Sequence, residues 1–194
     1  MPGARITSGE RVTFRTVESE DIPFLQRGSA NPEIRYSLGT PLRNQEQFDV
    51  SDETGTDRFL VCLEADGTGP GQPDADSVTP PAPRADDQAV GDVTRIGVMN
   101  VMDADWKRPE LGYWLVPEVH GNGYGKESVS LVIEYIFREY DTPAVGAEAF
   151  EFNDASRGLL KSLGVTEEGR RRKFMFVDGA HRDMIQYGLL RSEW

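Results

Sequence analysis

The spacing of apolar and polar residues predicts a chain of alternating strands and helices. Alternation predicts a strand over residues 11–17, and apolar runs predict consecutive strands over 58–64 and 94–103. Residues 110–137 and 144–164 each indicate a strand followed by a helix, and residues 169–190 indicate a hairpin that turns at Asp178-Gly179. This order predicts a mixed α/β sheet rather than a doubly wound parallel one.

The predicted helices differ in how clearly the pattern marks them. The helix that follows the glycines at 121, 123 and 125 has one apolar face, formed by Val129, Val132, Ile133, Ile136 and Phe137. In the next helix Asn153 is the expected N-cap, Gly164 the expected C-cap, and leucines form the apolar stripe. Residues 19–39 and 44–53 are also predicted to be helical, with weaker periodicity.

Residues 67–84 interrupt the pattern between two predicted strands. Eight of these eighteen residues are proline or glycine, and none is aromatic. Such a segment buries too little surface to order itself, so we interpret it as a flexible hairpin insert. Because both flanking strands are expected in one sheet, residues 1–194 are predicted to form a single domain.

Composition narrows the choice of partners and location. The formal net charge is −12, and four lysines accompany seventeen arginines. Abundant acids with few lysines are typical of proteins from salt-saturated cytoplasm, although an ordinary acidic surface is the alternative. The acidic balance argues against nucleic acid as the main partner. Without a signal-like N-terminus or a membrane-length apolar run, and with Cys62 as the single cysteine, we expect a cytoplasmic protein without disulfides.

Three glycines at 121, 123 and 125 lie where a predicted strand gives way to a helix. Turns of this kind commonly receive phosphate, because backbone N–H groups converge and no side chain obstructs the anion. The Walker A pattern fails, since three residues separate Gly121 from Gly125 and Glu127 replaces the hydroxyl residue. The spacing G-x-G-x-G also departs from the dinucleotide fingerprint G-x-G-x-x-G.

The stretch from His120 to Gly125 resembles another phosphate loop, the Gln/Arg-x-x-Gly-x-Gly/Ala motif of the GNAT superfamily of N-acetyltransferases, with His120 in the Gln/Arg position. "ELGYWLVPEVHGNGYGKES" (110–128), "FNDASRGLLKSLG" (152–164) and "DGAHRDMIQYGLLRSEW" (178–194) are similar to the RimJ/RimL-like branch, the ribosomal-protein N-acetyltransferases and their relatives. The resemblance spans almost the full length, with Leu-Gly-Val replacing the usual Leu-Gly-Phe. It implies a GNAT fold with a mostly antiparallel sheet of about six to seven strands, flanked by helices and splayed centrally to admit acetyl-CoA.

The resemblance implies a function as well as a fold. An enzyme of this type would transfer acetyl from acetyl-CoA to a primary amine by direct attack in a ternary complex, without a metal. The acceptor would be a protein N-terminus or a small amine, and the protein a monomer or homodimer. The alternative is a non-catalytic acyl-CoA-binding module of the same fold.

The resemblance also assigns roles to individual residues. The expected cofactor-binding residues are Leu115, Val116, His120, Gly121, Asn122, Gly123, Tyr124, Gly125, Lys126 and Asn153. Ser156 is the candidate acid for the departing thiolate, and Glu110 the candidate base for the amine. Each has a plainer alternative: Asn153 and Ser156 suit any helix start, Glu110 a solvated strand end, and Lys126 a helix surface.

Overall fold

The computed structural model describes residues 3–48, 56–64, 89–90 and 93–194. Its strands form one mixed sheet in the order β1-β2-β3-β5-β6-β7-β9-β8, with β4 paired to β5. They are β1 (Arg5–Ser8), β2 (Thr13–Thr16), β3 (Asp57–Glu64), β4 (Ala89–Val90), β5 (Val93–Met102), β6 (Glu110–Leu115), β7 (Ala144–Phe150), β8 (Thr166–Val177) and β9 (Ala180–Leu190). The predicted α/β class is confirmed, and the sheet contains two short strands, β1 and β4, beyond the seven that the pattern indicates.

Within the described residues, four α-helices accompany the sheet: α1 (Ile22–Ala30), α2 (Pro32–Leu38), α3 (Tyr124–Glu139) and α4 (Asp154–Ser162). The helical region predicted over 19–39 is broken at Asn31, which is extended, with φ −62° and ψ 123°. The break has a local cause, because Pro32 disfavours a helical residue before it. Of the helix predicted over 44–53, residues Gln45–Gln47 form a 3-10 turn, and 49–53 lie outside the described residues.

Helix α3 buries the apolar face that the sequence pattern predicted. Val129, Val132, Ile133 and Ile136 are fully buried in the main core cluster. Strands β3 and β5 pair directly, as expected for the two flanks of the insert 67–84, which itself lies outside the described residues. The hairpin turn is also as predicted, with Asp178 and Gly179 both at positive φ.

The junction between β6 and β7 is the one parallel contact in the described sheet, and it is short. Only Glu110–Gly146 and Leu111–Ala147 are paired, although β6 has six residues and β7 seven. Beyond Leu111 the two strands separate. The expected central splay is therefore present, and it opens toward the C-terminal end of β6.

The splayed strands have helices on both faces. The ring of Trp114 packs against Phe24 of α1, with ring centroids 5.4 Å apart. Tyr113 instead bonds to Ser156 of α4, as described below. Because successive side chains of a strand point to opposite faces, the sheet has an α1–α2 face and an α3–α4 face.

Among the described residues, no helix is both long and apolar enough to cross a membrane. The same part of the chain contains no group of three or more His, Cys, Asp or Glu arranged to hold a metal ion.

Candidate active site

A cavity of about 660 Å³ lies at the splay between β6, α2 and α4 and extends to the start of α3. Eight of the residues singled out from the sequence line it: Leu115, His120, Gly121, Gly123, Gly125, Lys126, Asn153 and Ser156. Glu110, Val116, Asn122 and Tyr124 do not. A single volume thus joins the glycine loop, defined here as residues 120–126, to the start of α4.

Glycine is required at positions 121, 123 and 125 for two different physical reasons. Gly121 and Gly123 have φ of 77° and 83°, the left-handed region that side chains rarely adopt. Gly125 instead allows a close approach, since a Cβ there would lie 2.9 Å from Cδ1 of Leu159 in α4. The spacing G-x-G-x-G therefore combines a left-handed loop with tight packing of α3 against α4.

The carbonyl groups of the glycine loop are held by side chains. The Arg11 guanidinium donates through Nη1 to the Asn122 carbonyl at 2.9 Å. The Asn122 side chain donates through Nδ2 to the His120 carbonyl at 3.1 Å. In a trans peptide the C=O and the following N–H point in opposite directions. Fixing these carbonyls therefore turns the N–H groups of Gly123 and Gly121 the other way.

The free N–H groups make the glycine loop a potential anion site. Within the described part of the chain, the backbone N–H groups of residues 121–126 have no acceptor, whereas His120 N–H donates to Pro117. The first turn of α3 adds the positive end of its dipole. Lys126, which is exposed, adds a mobile charge.

Arg11 also forms an ion pair with Glu127, which the sequence pattern did not predict. Its Nε donates to Oε2 of Glu127 at 2.9 Å, and its guanidinium lies 4.8 Å from the Tyr124 ring centroid. Glu127 also accepts from the backbone N–H groups of Arg11 and Val12, at 2.6 and 3.0 Å. The residue that excludes a Walker A motif thus ties the segment before β2 to the glycine loop.

Two backbone groups near the C-terminal end of β6 already have hydrogen-bond partners within the protein. The Val116 N–H donates to the Ile96 carbonyl at 2.8 Å, so it is not available to a ligand. Nε2 of His120 lies 2.9 Å from the Leu115 carbonyl. Because a carbonyl only accepts, Nε2 carries a proton in this bond.

The start of α4 contributes a linked pair of hydroxyl groups. Asn153 is the N-cap, as expected, and its Oδ1 accepts from the Ser156 N–H at 3.1 Å. The Ser156 hydroxyl lies 2.8 Å from the Tyr113 hydroxyl, which comes from β6. Burial raises the pKa of Tyr113 to about 12, against a smaller lowering by Ser156. Tyr113 also lines the cavity.

Two carboxylates lie near the splay, and one of them lines the cavity. Glu110 begins β6 and lies 3.4 Å from Nζ of Lys107, outside the cavity lining. Glu148 of β7 does line the cavity, and burial raises the pKa of its carboxyl group, while Arg171 lowers it. Arg171 also donates to Glu148. The signal for Glu148 was present in the sequence, as the one charged residue of the strand "AVGAEAF".

Glu148 faces the α1–α2 side of the sheet. Two residues later, the ring of Phe150 lies beside Gly39, the C-cap of α2, where an added Cβ would be 2.8 Å from Cζ of Phe150. By strand alternation, Glu148 shares this face, and Glu110 shares the face of Trp114. Both carboxylates therefore lie on the α1–α2 face, whereas Tyr113 and Ser156 lie on the α3–α4 face.

Cys62, the single cysteine, is fully buried in β3. Burial raises the pKa of its thiol to about 12, so the reactive thiolate form is strongly disfavoured at neutral pH.

Comparisons with known proteins agree with this geometry. Residues 11–166 match the family described as "Acetyltransferase (GNAT) domain". The chain is 28% identical to the SPbeta prophage-derived N-acetyltransferase YokL of Bacillus subtilis (strain 168), over 96% of this chain and 94% of that protein. YdaF from the same organism is 34% identical, but over 45% of this chain and 48% of that protein, so the chain spans about half of YdaF's length.

Solved structures show the same fold at low sequence identity. The spermidine N-acetyltransferase of Vibrio cholerae in complex with CoA and spermine has a TM-score of 0.73 and 16% identity, covering 95% of this chain and 98% of that one. The ribosomal L7/L12 alpha-N-protein acetyltransferase RimL in complex with coenzyme A has a TM-score of 0.71 and 15% identity, covering 98% and 100%.

Proposed function

Since this chain belongs to the GNAT family of acetyltransferases, we propose that it transfers the acetyl group of acetyl-CoA to a primary amine by direct attack in a ternary complex. The observation that carries the proposal is the glycine loop. Within the described part of the chain, the N–H groups of residues 121–126 have no acceptor, and the carbonyls of His120 and Asn122 are held by side chains, at the mouth of the gap between β6 and β7. Such a loop suits the pyrophosphate of CoA.

The gap suits the extended arm that joins this pyrophosphate to the thioester. The Pro109 carbonyl accepts from Gly146 of β7, so alternation directs the backbone groups of Tyr113 toward the same side. Where β6 has left β7, these groups are the ones we expect to bond the pantetheine amides. A backbone N–H in this position would also stabilise the oxyanion of the tetrahedral intermediate.

We assign the acceptor amine to the α1–α2 face and the cofactor to the α3–α4 face. The two would meet through the gap. Glu148 is the preferred base because its carboxylate lines the cavity and burial raises its pKa, and Glu110 remains the second candidate. After attack by the neutral amine, the C–S bond breaks and the sulfur leaves as a thiolate, to which Ser156 donates a hydrogen bond.

Direct attack is favoured over an acyl-enzyme intermediate. No cysteine lines the cavity in the described part of the chain, and Cys62 is sealed in the core. The proposed acceptor is a protein N-terminus or a small amine. One of the two solved structures is named for a polyamine acceptor and the other for a protein acceptor, and their TM-scores to this chain are nearly equal. The fold therefore does not distinguish a polyamine acceptor from a protein acceptor.

The deciding experiment combines acetyl-CoA calorimetry with a panel of amines assayed for CoA release. The panel should contain N-terminal peptides, polyamines and amino acids. Binding together with amine-dependent CoA release supports the proposal. Tight binding of acetyl-CoA without release for any amine would instead favour the non-catalytic acyl-CoA-binding module.

A further inference from the structure

Tyr113 and Ser156 form a bond between the middle of β6 and the first turn of α4. Their hydroxyl oxygens lie 2.8 Å apart, and both side chains line the cavity. The two residues are 43 positions apart in the sequence, so the bond exists only because α4 packs against the splayed strand.

The chemistry of the two hydroxyls gives the bond a direction. A phenol is a stronger hydrogen-bond donor than an alkyl hydroxyl, because its O–H group is the more acidic. Burial, which raises the pKa of Tyr113 to about 12, keeps the phenol protonated across the neutral range. Either hydroxyl can donate at this distance, and we infer that Tyr113 donates and Ser156 accepts.

This direction leaves the hydrogen of Ser156 Oγ without a partner. Among the described residues, Oγ of Ser156 has no hydrogen-bonding partner other than Tyr113. The backbone N–H of Ser156 is already bonded to Asn153, which fixes the first turn of α4. One bond thus fixes the backbone of Ser156, and the other fixes its hydroxyl oxygen, with the free hydrogen available to the cavity.

We propose that Tyr113 is a positioning residue for release of the thiolate: by occupying the lone pair of Ser156 Oγ, it holds the Ser156 hydrogen toward the departing sulfur. This rests on the proposed acetyl transfer. When the C–S bond breaks, its electron pair stays on sulfur, and the amine proton goes to the carboxylate base. The thiolate accepts a hydrogen bond from Ser156 and takes its proton from water after CoA leaves, so Tyr113 keeps its own proton throughout.

The test compares four variants with the parent: Tyr113→Phe, Ser156→Ala, the double variant, and Tyr187→Phe as control. Tyr187 is also a buried tyrosine, but its hydroxyl accepts from Arg157 at 3.4 Å and does not line the cavity. Tyr113→Phe should lower kcat roughly three- to tenfold, the range of one lost hydrogen bond, without changing the KM for acetyl-CoA. Tyr187→Phe should leave both constants unchanged.

The double-mutant cycle separates positioning from a structural effect. If Tyr113 acts through Ser156, then Tyr113→Phe should have no further effect on kcat in the Ser156→Ala background. The deficits of both single variants should also shrink with the selenium analogue of acetyl-CoA, whose selenolate leaves more readily than a thiolate. Ser156→Ala removes the proposed donor itself, so its loss of kcat sets the largest loss that Tyr113→Phe can produce by acting through Ser156.

Several results would overturn the inference. Additive losses in the double variant would do so, and so would an unchanged kcat for Tyr113→Phe, or equal losses with the sulfur and selenium donors. Each of these leaves the acetyltransferase proposal intact, because the parent is active. A parent that releases no CoA with any amine removes both proposals together.

Discussion

Gly121 offers a clean test of phosphate binding, because backbone strain can be separated from loss of the ligand. Its φ is 77°, and a Cβ there would meet nothing within 4 Å. Gly179, in the β8–β9 turn, has φ 74° and equally open surroundings, but it does not line the cavity. Gly121→Ala and Gly179→Ala therefore impose the same strain at different places. Gly123 is less suitable, since a Cβ there would lie 3.1 Å from Arg11 Nη2.

The expected magnitudes differ between stability and affinity. Left-handed backbone costs an alanine about 1–2 kcal/mol, and the reduced freedom of the unfolded chain returns about 0.4–1 kcal/mol. A net loss of about 1 kcal/mol should lower Tm by roughly 2–4 °C in both variants. Only Gly121→Ala should also lose acetyl-CoA affinity, by roughly 10- to 100-fold if a Cβ displaces one charge-assisted hydrogen bond worth about 1.5–3 kcal/mol.

Calorimetric titration with acetyl-CoA and thermal melting of both variants provide the two readouts. Equal affinities for Gly121→Ala and the parent would refute phosphate binding at this loop. A matching loss of affinity in Gly179→Ala would show that strain, rather than contact, controls binding.

Three other changes test separate parts of the site and surface. Glu148→Gln should lower kcat by about 10²–10⁴-fold and should remove the acidic limb of the profile of kcat/KM against pH. Because the pKa of Glu148 is raised, this limb should lie at a higher pH than an ordinary glutamate would give. A larger loss of kcat in Glu110→Gln would assign the base to Glu110 instead. Arg11→Lys keeps the charge but cannot bridge Asn122 and Glu127 together, so acetyl-CoA affinity should fall about tenfold, whereas turnover of S-acetylpantetheine, which lacks the pyrophosphate, should not change. Raising KCl from dilute to molar should raise Tm, because screening relieves the repulsion within a −12 chain, and a flat or falling Tm would indicate an ordinary acidic surface.

The elements that the sequence predicted are those whose signal is local. The stripe of α3, the Asp178-Gly179 turn and the Asn153 cap each depend on residues within a few positions of one another. The glycine loop was recognisable for the same reason. Strand β1 was missed because its four residues carry too short a pattern to distinguish from a loop.

The parts of the site that escaped prediction depend on distant pairings. Arg11 reaches Glu127 across 116 positions, and Tyr113 reaches Ser156 across 43. Glu110 and Glu148 both lie near the splay, but only the three-dimensional arrangement shows which carboxylate borders the cavity. Likewise, no pattern could show that the N–H of Val116 is already donated to Ile96.

The two-pair contact between β6 and β7 has a consequence for the lifetime of the protein. It has the fewest paired residues of any junction in the order β1-β2-β3-β5-β6-β7-β9-β8, and the extended cofactor arm proposed to lie there would supply the missing strand-to-strand bonds. Anything that binds only the folded state stabilises it by RT ln(1 + [L]/Kd), which is about 2.7 kcal/mol at a hundredfold excess over Kd. Proteolysis that starts at this seam would therefore slow when acetyl-CoA is abundant and accelerate when it is scarce. The abundance of the enzyme would then follow the supply of its own acyl donor.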